Sequence, residues 1–367
     1  KLFQSTKVQI QHYVKTIDLL VYFHQHSKKH QYGHSTLHPI IHLLNACGSA
    51  HNHNPPQYTL AIFCDLSMAF DILDHQILLY KLSNIGIRGH ALDWISNYLS
   101  NRTQYVEIDK HKSISHNIDH GVPQGSVLGP LLFLIYINDI QYSTQEQILS
   151  FADDTTIFLT SNNTEELLSK ANETLHNVNI WFTANKLHIN SSKTKYMIFS
   201  PHKKQFIFNN PLSIGNQSIE LVSTTKFLGI HLDSHLTWKT HLAAINKKIS
   251  YALMTLKQLK NTLPQSALTT IYHSLIHPHL LYCLPVWGNA TKTALNRTIK
   301  LQKRAVRYIT NSHYNAHTDE LFKSLSILKL PDLITQHITI LMYDFHHHLL
   351  PSSFNNTFTR NHNHQTR

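Results

Sequence analysis

Two sets of acidic residues, each at the end of a predicted hydrophobic strand, constrain the fold most strongly. Tyr58–Cys64 is a continuous apolar run that predicts a buried strand, and Asp65 follows it directly. Gln147–Phe151 and Thr156–Thr160 predict two more strands, with Asp153-Asp154 in the tight turn between them. If these strands neighbour each other in one sheet, the carboxylates converge and repel, and Mg²⁺ would relieve the repulsion. Asp-Asp is also a common turn dipeptide, so an ordinary turn remains the alternative.

A glycine-rich loop lies between the two acidic positions. Gly121–Pro130 contains three glycines and two prolines, and the apolar run Pro130–Ile140 predicts a helix after it. Glycine has no Cβ, so such a loop lets another backbone or a ligand approach closely. The alternative is an ordinary turn that enters a helix.

The remaining sequence divides into a mixed region and a helical region. Short apolar strands alternate with polar turns from Lys195 to Ile230, and long helical patterns follow Trp238. We therefore place a domain boundary near residue 236, which gives domains at 1–235 and 236–330 and a C-terminal extension at 331–367. The tail from about residue 351 is rich in Asn, His and Thr and is expected to be disordered. The other predicted elements are helices at Val8–His24, Leu37–Leu44, Ile77–Tyr98 (interrupted at Gly86–Gly89), Thr164–Asn179, His241–Leu259, Ser266–His277 and Thr293–Ile309, and a strand pair at Tyr105–Ile108 and Ile114–Ile118.

Composition narrows the partners and the compartment. The 32 Lys and Arg residues outnumber the 21 Asp and Glu residues, and the net charge of +11 favours a polyanionic partner, nucleic acid before a membrane surface. Three widely spaced cysteines argue against a disulfide framework, so we expect no disulfide partner and a reducing, intracellular location. No apolar run approaches the roughly 18–20 residues that span a bilayer, and we find no signal peptide, so we expect neither membrane insertion nor secretion. The first residue is lysine, which we interpret as the start of a fragment.

A cluster of basic residues follows the periodicity of a helix in the C-terminal half. Its members occur at positions i, i+3, i+6, i+7 and i+10, so most of them share one helix face. We interpret this face as a track for a phosphate backbone, with a solvated basic face as the alternative. The residues are Arg297, Lys300, Lys303, Arg304 and Arg307.

Three motifs that contain the acidic residues and the glycine-rich loop also resemble a known family. They are Phe63–Asp71, Gly121–Pro130 and Phe151–Asp154, and they resemble the core palm motifs of reverse transcriptases from LINE-type, non-LTR retrotransposons of the Jockey-like kind. The resemblance covers about residues 3–330 and is specific, because several motifs occur in order at plausible spacing. It continues through Trp181–Phe199, Phe227–Ile230, Tyr282–Gly288 and Leu301–Arg307.

The resemblance implies an α+β right-hand polymerase fold. The palm would be an antiparallel sheet with helices on one face; residues 1–235 would form fingers and palm, with partial fingers at 1–57, and residues 236–330 would form a helical thumb. Asp65 and Asp153 match the family's metal-binding aspartates, the carbonyl of Leu66 is the expected further ligand, and Asp154 matches the second hairpin acid. Two Mg²⁺ ions are the implied cofactors.

The resemblance also implies residues that bind the nucleotide and the primer. Phe70 matches the aromatic steric gate that excludes a ribose 2′-OH and would line the pocket beside Gln124, although a core aromatic at a helix start is equally consistent. Gln124 matches the glutamine that positions the incoming nucleotide over the template base. Lys193 matches a lysine that could protonate departing pyrophosphate, with a surface lysine as the alternative. The primer-grip position corresponds to Phe227, Leu228 and Gly229.

The implied activity is RNA-directed DNA polymerisation, with an RNA template, a DNA primer and dNTPs as partners. The primer 3′-OH would attack the α-phosphate of the dNTP and release pyrophosphate, in a nuclear or cytoplasmic ribonucleoprotein. Two departures favour an alternative, a catalytically inactive nucleic-acid-binding remnant. Gln31–Thr36 lacks the Phe-Arg and spacer of a fingers motif whose arginine helps to hold the triphosphate, and Met68 stands where lysine is usual. These departures, with no earlier fingers motif and no upstream endonuclease, would fit a truncated or degenerate copy.

Overall fold

The computed structural model describes residues 35–200, 211–355 and 357–358. The predicted helix Val8–His24 and most of the Gln31–Thr36 motif lie outside these residues. The contacts divide the chain into two units. The first contains Ala46–Val222, and the second contains Ser35–Asn45 together with the chain from Ser223 onward.

The first unit combines a sheet with helices. The helix α1 (Leu37–His51) is divided between the units, because residues 37–45 belong to the second unit and residues 46–51 to the first. In chain order the elements are α1 (Leu37–His51), β1 (Tyr58–Cys64), α2 (His75–Asn84), α3 (His90–Leu99), β2 (Arg102–Gln104), β3 (Glu107–Ile108), β4 (His111–Lys112), β5 (His116–Ile118), α4 (Leu128–Ile137), a 3-10 helix (Asn138–Tyr142), β6 (Gln147–Phe151), β7 (Asp154–Ser161), α5 (Thr164–Ala184), β8 (Lys195–Phe199), β9 (Ser213–Ile214), β10 (Gln217–Ser218) and β11 (Glu220–Leu221).

The main sheet has five strands in the order β11-β8-β1-β7-β6. β1 pairs antiparallel with β7 and with β8, and β6 pairs antiparallel with β7, as predicted for an antiparallel sheet. The two-residue edge strand β11 differs, because it runs parallel to β8. Leu60 and Ile62 of β1 are fully buried in a core shared with α2, α4 and α5, which explains the continuous apolar run of this strand.

The strands between α3 and α4 pair differently from the prediction. Instead of one pair at Tyr105–Ile108 and Ile114–Ile118, β2 pairs with β5 and β3 pairs with β4. The cause is a tight turn in which Asp109 and Lys110 both adopt positive φ, at 47° and 69°. Positive φ at both central residues matches the right-handed twist of a hairpin, so the chain reverses earlier than the sequence pattern indicates.

The carboxylate of Asp74 caps helix α2 and joins it to the end of α5. Oδ1 accepts the N–H groups of Gln76 and Ile77 at 2.9 Å each, and Oδ2 accepts the ammonium of Lys186 at 2.6 Å. Burial alone would raise the pKa of Asp74, but the Lys186 bond and charge and the two N–H groups outweigh it and lower the pKa. The ionised carboxylate is therefore part of the folded structure.

The second unit is mainly helical, and its part after residue 222 begins with a hairpin. Its elements after α1 are β12 (Thr224–Phe227), β13 (Ile230–Asp233), α6 (Lys239–Leu259), α7 (Gln265–Leu275), α8 (His277–Leu281), α9 (Leu284–Trp287), α10 (Lys292–Ile309), α11 (Asp319–Ser324), α12 (Leu330–His346) and a 3-10 helix (Ser352–Phe354). Buried polar side chains fix the helices to one another. Gln302 of α10 donates to the Tyr272 hydroxyl and to the Leu328 carbonyl, at 3.0 Å each, and accepts the Leu330 N–H at 2.9 Å.

Two features of the second unit differ from the sequence prediction. The division between the units falls at Val222–Ser223, before the β12–β13 hairpin, whereas the sequence places it near residue 236. The hairpin groups with the helices because β13 packs on α6. Residues 352–354, which the composition assigns to a disordered tail, form a 3-10 helix because the Phe354 ring is buried beside His38.

The environment of the cysteines sets their reactivity. Cys47, Cys64 and Cys283 are free and buried, and burial raises the pKa of Cys64 to about 12. Such a thiol is not ionised at neutral pH and is unreactive. In the described part of the chain, no helix is both long and apolar enough to cross a membrane.

Removal of the Asp74 charge should destabilise the protein in a pH-dependent way. Asp74→Ala removes the cap and the Lys186 partner, and we expect it to lower the free energy of unfolding by about 2 kcal/mol at pH 7. Asp74→Asn retains a capping oxygen and should cost about half as much. Because folding lowers the pKa of Asp74, its stabilisation is present at neutral pH and is lost as the pH falls below about 4. The gap between the parent and Asp74→Asn should therefore close in acid.

Chemical unfolding followed by circular dichroism at pH 7 and at acidic pH measures this gap. Asp119→Asn, which removes an exposed carboxylate, is the matched control and should leave the stability nearly unchanged. An Asp74→Asn variant as stable as the parent at pH 7 would show that the carboxylate contributes nothing beyond the cap.

Candidate active site

The acidic residues lie at one end of the central strand pair of the first unit. β6 and β7 form a hairpin whose two-residue turn is Ala152 and Asp153, and Ala152 adopts a positive φ of 52°. β1 is antiparallel to β7, and its last residue, Cys64, pairs with Thr155. Asp65 therefore leaves β1 at the level of the hairpin turn.

The three carboxylates of Asp65, Asp153 and Asp154, here called the acidic cluster, interact electrostatically. Burial raises the pKa of Asp154 above its usual value, and the charges of Asp153 and Asp65 raise it further. One oxygen of Asp65, Oδ2, is buried and accepts no hydrogen bond from the described residues. Like charges beside a buried oxygen that lacks a donor have the chemistry of a cation site.

A second turn places a lysine beside the acidic cluster. The Asn190 N–H donates to the Asp65 carbonyl at 2.8 Å, and the Asn190 carbonyl accepts the Thr194 N–H at 2.8 Å. Thr194 Oγ1 also accepts the Asp65 N–H at 3.2 Å. The turn places Lys193 Nζ 3.6 Å from Asp65 Oδ2. The structure thus brings Lys193, predicted as a proton donor, next to a predicted metal ligand, and leaves most of the lysine side chain exposed.

The acidic cluster fits Mg²⁺ better than a metal held by protein ligands alone. Within the described residues, no three His, Cys, Asp or Glu side chains form a ready-made metal site. Mg²⁺ asks less of the protein, because it keeps several waters and often uses one or two carboxylates together with substrate phosphates. The cluster supplies hard oxygen ligands, including Asp65 Oδ2, which accepts no hydrogen bond from the described residues and has only the Lys193 ammonium nearby, at 3.6 Å. Leu66, whose carbonyl is a predicted ligand, follows Asp65 and bridges to Ile189 of the second turn.

The glycine-rich loop packs directly on the chain that follows Asp65. The Gly121 N–H donates to the Leu73 carbonyl at 2.7 Å, and the Val122 N–H donates to the Phe70 carbonyl at 2.9 Å. A Cβ at position 121 would lie 2.6 Å from the carbonyl oxygen of Asp71, and Gly121 adopts a positive φ of 81°. Only glycine fits this close approach. The two motifs therefore form one rigid substructure.

Gln124 and Phe70 occupy different environments in this substructure. Gln124 Nε2 donates to Asp71 Oδ1 at 2.7 Å, so the carboxylate fixes the orientation of the amide. The Phe70 ring is half-buried and packs on Phe133, with ring centroids 4.6 Å apart. Phe70 was expected to line the pocket beside Gln124. The cleft that Gln124 lines is also lined by the neighbouring Asp71, and the gate assignment of Phe70 stays a prediction.

Gln124 and Asp71 line an open, polar cleft of about 500 Å³. One wall is the β2–β5 ribbon, and the opposite wall is the start of the glycine-rich loop. Its lining includes the side chains of Asp71, Arg102, Gln104, His120, Pro123 and Gln124.

The predicted primer-grip residues form the turn of the β12–β13 hairpin in the second unit. Leu228 and Gly229 are its two central residues, both with positive φ, at 43° and 84°. The Tyr282 hydroxyl donates to the Leu228 carbonyl at 2.6 Å, and a Cβ at Gly229 would lie 3.1 Å from the Tyr282 ring. Phe227 is buried, so the exposed part of this turn is Gly229.

The predicted basic face lies on α10 and separates into two groups. Arg297, Lys300 and Arg304 are exposed along one side of the helix. Lys303 is half-buried and close enough to Asp319 to help lower the pKa of that carboxyl, after the larger effect of Lys329. Arg307 Nε donates to the Ala316 carbonyl at 2.9 Å, so its side chain supports the loop before α11. Three of the five cations are therefore free to meet a ligand.

The sequence analysis assigns no supporting role to several residues that hold the predicted site residues in place. Asp71 orients Gln124, Asn190 and Thr194 fix the turn that carries Lys193, and Tyr282 supports the Leu228 carbonyl. All four fall inside segments that carry the resemblance. Their partners, however, lie far away along the chain, and the residue pattern contains no signal for such pairing.

Comparison with known proteins assigns the chain to a family. Residues 6–232 match the reverse transcriptase (RNA-dependent DNA polymerase) family, which is more than half of the chain. The chain belongs to this family, and its mixed helix-and-sheet structure is a reverse transcriptase fold.

The relatives include polymerases of mobile elements. The RNA-directed DNA polymerase from the mobile element jockey of Drosophila melanogaster is 29% identical over 75% of this chain and 31% of its own length. The corresponding polymerase of Drosophila funebris is 26% identical over 76% of this chain and 31% of its own length. The chain thus spans about a third of these curated relatives. Among solved structures, a telomerase from Candida albicans is 10% identical, with a TM-score of 0.45 over 81% of this chain and 55% of that one.

Neutralising one member of the acidic cluster should stabilise the protein without metal. The repulsion among the three carboxylates is a cost at neutral pH, so Asp153→Asn should raise the free energy of unfolding by about 0.5 kcal/mol in the presence of EDTA. Asp119→Asn, which lies outside the cluster, should have no effect. Chemical unfolding at pH 7 measures both variants. A lower stability of Asp153→Asn would mean that the carboxylate makes a favourable interaction in the folded protein.

Proposed function

We propose that this chain is the polymerase region of a non-LTR retrotransposon reverse transcriptase and copies RNA into DNA. The observation that carries the proposal is the acidic cluster, in which like charges meet beside the unsatisfied Asp65 Oδ2. The family membership and the jockey relatives support the same activity. In this proposal the first unit supplies the palm and part of the fingers, and the helices of the second unit supply the thumb.

The proposed active site divides the work between a few residues. Asp65 and Asp153 would hold two Mg²⁺ ions with the Leu66 carbonyl, and Asp154 would add charge. When bound, the ions supply charge neutralisation for the attacking and leaving oxygens of an in-line displacement. Gln124, oriented by Asp71, would position the incoming nucleotide.

Lys193 completes the proposed chemistry. Its ammonium lies beside Asp65 on a turn that two hydrogen bonds join to Asp65 and that a third bond, from the Thr194 N–H to the Asn190 carbonyl, closes. A cation held there can donate a proton to departing pyrophosphate, because protonation of a leaving group lowers the barrier to its departure. Because hydrogen bonds fix the backbone of this turn, the flexible side chain of Lys193 can adopt fewer positions.

The second unit supports binding of the nucleic acid. Arg297, Lys300 and Arg304 form an exposed row of cations with the spacing of one helix face. The β12–β13 turn, supported by Tyr282, offers the exposed backbone of Gly229 as a primer grip. The proposed partners are an RNA template, a DNA primer and dNTPs, in a nuclear or cytoplasmic ribonucleoprotein.

Primer extension on an RNA template tests the proposal. We expect the purified chain to extend a DNA primer with Mg²⁺ and dNTPs, weakly at low micromolar dNTP, because Gln31–Thr36 lacks the arginine that holds the triphosphate. Asp153→Asn should abolish the extension, whereas Asp119→Asn should retain it. Extension that persists in Asp153→Asn would exclude the acidic cluster as the active site.

A catalytically inactive nucleic-acid-binding remnant is the second candidate. The departures at Gln31–Thr36 and Met68 favour it, since binding through phosphates depends on summed charge and survives the loss of one residue. Salt-sensitive binding of primer–template without any extension, at any dNTP concentration, would support this candidate and exclude the first.

The aromatic ring of Phe70 is proposed to select deoxynucleotides. Phe70→Val should increase the incorporation of rNTPs relative to dNTPs by at least tenfold, because the smaller side chain leaves room for a 2′-OH. Phe70→Tyr keeps the ring and should retain the discrimination. The ratio of the two incorporation rates is the readout, since loss of packing on Phe133 would lower both rates together. An unchanged ratio in Phe70→Val would exclude the gate assignment.

A further inference from the structure

The cleft beside Gln124 contains an arginine that the proposed chemistry does not use. Arg102 begins β2, pairs with Ile118 of β5, and shares one face of the ribbon with Gln104, because alternate residues of a strand point to the same side. Both side chains line the cleft. Arg102 is partly exposed, and its side chain borders the cleft.

The guanidinium of Arg102 has no partner among the residues that the structure describes. Within the described residues, no hydrogen bond or ion pair engages this side chain, although the carboxylate of Asp71 lines the same cleft. Asp71 instead accepts the amide of Gln124. The five N–H donors of this guanidinium are therefore left for solvent or for a ligand. The planar donor fork of arginine matches a phosphate oxyanion.

The charge of the cleft favours one phosphate over several. Among the described residues that line it, Arg102 is the only Arg or Lys, and Asp71 is the only carboxylate. A dNTP carries several negative charges and would meet one arginine against one aspartate. A phosphodiester of a polynucleotide strand carries a single negative charge, which one guanidinium neutralises. The amides of Gln104 and Gln124 can contact the same nucleotide by hydrogen bonds.

We propose that this cleft is a phosphodiester site for the nucleic-acid strand that passes Gln124, and that Arg102 is its phosphate ligand. The inference rests on the proposed function, because it assumes that a template reaches Gln124. It adds a strand-binding residue in the first unit. The β2–β5 ribbon acts as one wall of the template path, and Arg102 fixes the register of the strand relative to Gln124.

A salt titration tests the assignment. The probe is a fluorescein-labelled DNA primer annealed to an RNA template with a single-stranded overhang, and fluorescence anisotropy gives its affinity for the full chain at several salt concentrations. Arg102→Gln should weaken binding about three- to tenfold and reduce the slope of log affinity against log salt by about 0.7–0.9, the value for one phosphate contact. Arg102→Lys keeps the charge and should retain most of the slope.

Lys110→Gln is the matched control, because it removes the same charge from the exposed turn between β3 and β4, outside the cleft. It should leave the slope unchanged. Equal losses in Lys110→Gln and Arg102→Gln would overturn the assignment, since the effect would then reflect net charge alone. Thermal unfolding should be the same for all variants, because Arg102 makes no side-chain bond within the described residues.

Binding of a fluorescent dNTP analogue distinguishes the two possible sources of the phosphate. Arg102→Gln should leave this affinity unchanged. A loss of dNTP affinity with unchanged strand binding would overturn the proposal and assign the cleft to the triphosphate. A parent chain that binds no primer–template would remove the proposed function itself, whereas parent binding that is insensitive to Arg102→Gln removes only this inference.

Discussion

The position of β1 at the centre of the sheet determines where charge can collect. Both edges of this strand are hydrogen-bonded, to β7 on one side and to β8 on the other, so its carboxyl end emerges between two fixed neighbours. The β6–β7 turn brings Asp153 and Asp154 to that end, and the turn before β8 brings Lys193. The sheet holds the three carboxylates of the acidic cluster together against their repulsion, because the core around Leu60 and Ile62 stabilises the strands independently of these charges.

The electrostatic field of the chain is positive at long range and negative close to the acidic cluster. Its net charge of +11 attracts a polyanion over a long range, and the exposed cations of α10 belong to that field. The acidic cluster is a local negative site, in which Lys193 is the cation 3.6 Å from Asp65. A polyanion cannot approach such a site closely unless further cations neutralise it. The same arrangement therefore favours nucleic acid on the surface and divalent cations at the end of β1.

Patterns among neighbouring residues predicted the strands, helices and turns well. They did not predict which segments that are distant in the sequence pair with each other. The apolar run before Asp65 and the turn at Asp153 are signals from neighbouring residues. Strand β1, strands β6 and β7, and the turn between β6 and β7 are present where expected. The parallel edge strand β11 and the bond between Asp71 and Gln124 depend on which segments meet in space. The same holds for Arg102, which has no side-chain partner among the described residues. The tail shows a related limit, because a single ring, Phe354, orders a segment whose average composition indicates disorder.

The close approach at Gly121 has a consequence for how the two motifs tolerate substitution. Any side chain there would meet the Asp71 carbonyl at 2.6 Å, so the loop would have to move away from the segment after Asp65 by a fraction of an ångström or more. A substitution at this position would leave every charged residue of the chain in place and change only how the two motifs face each other. The geometry between them therefore depends on one residue that carries no side chain.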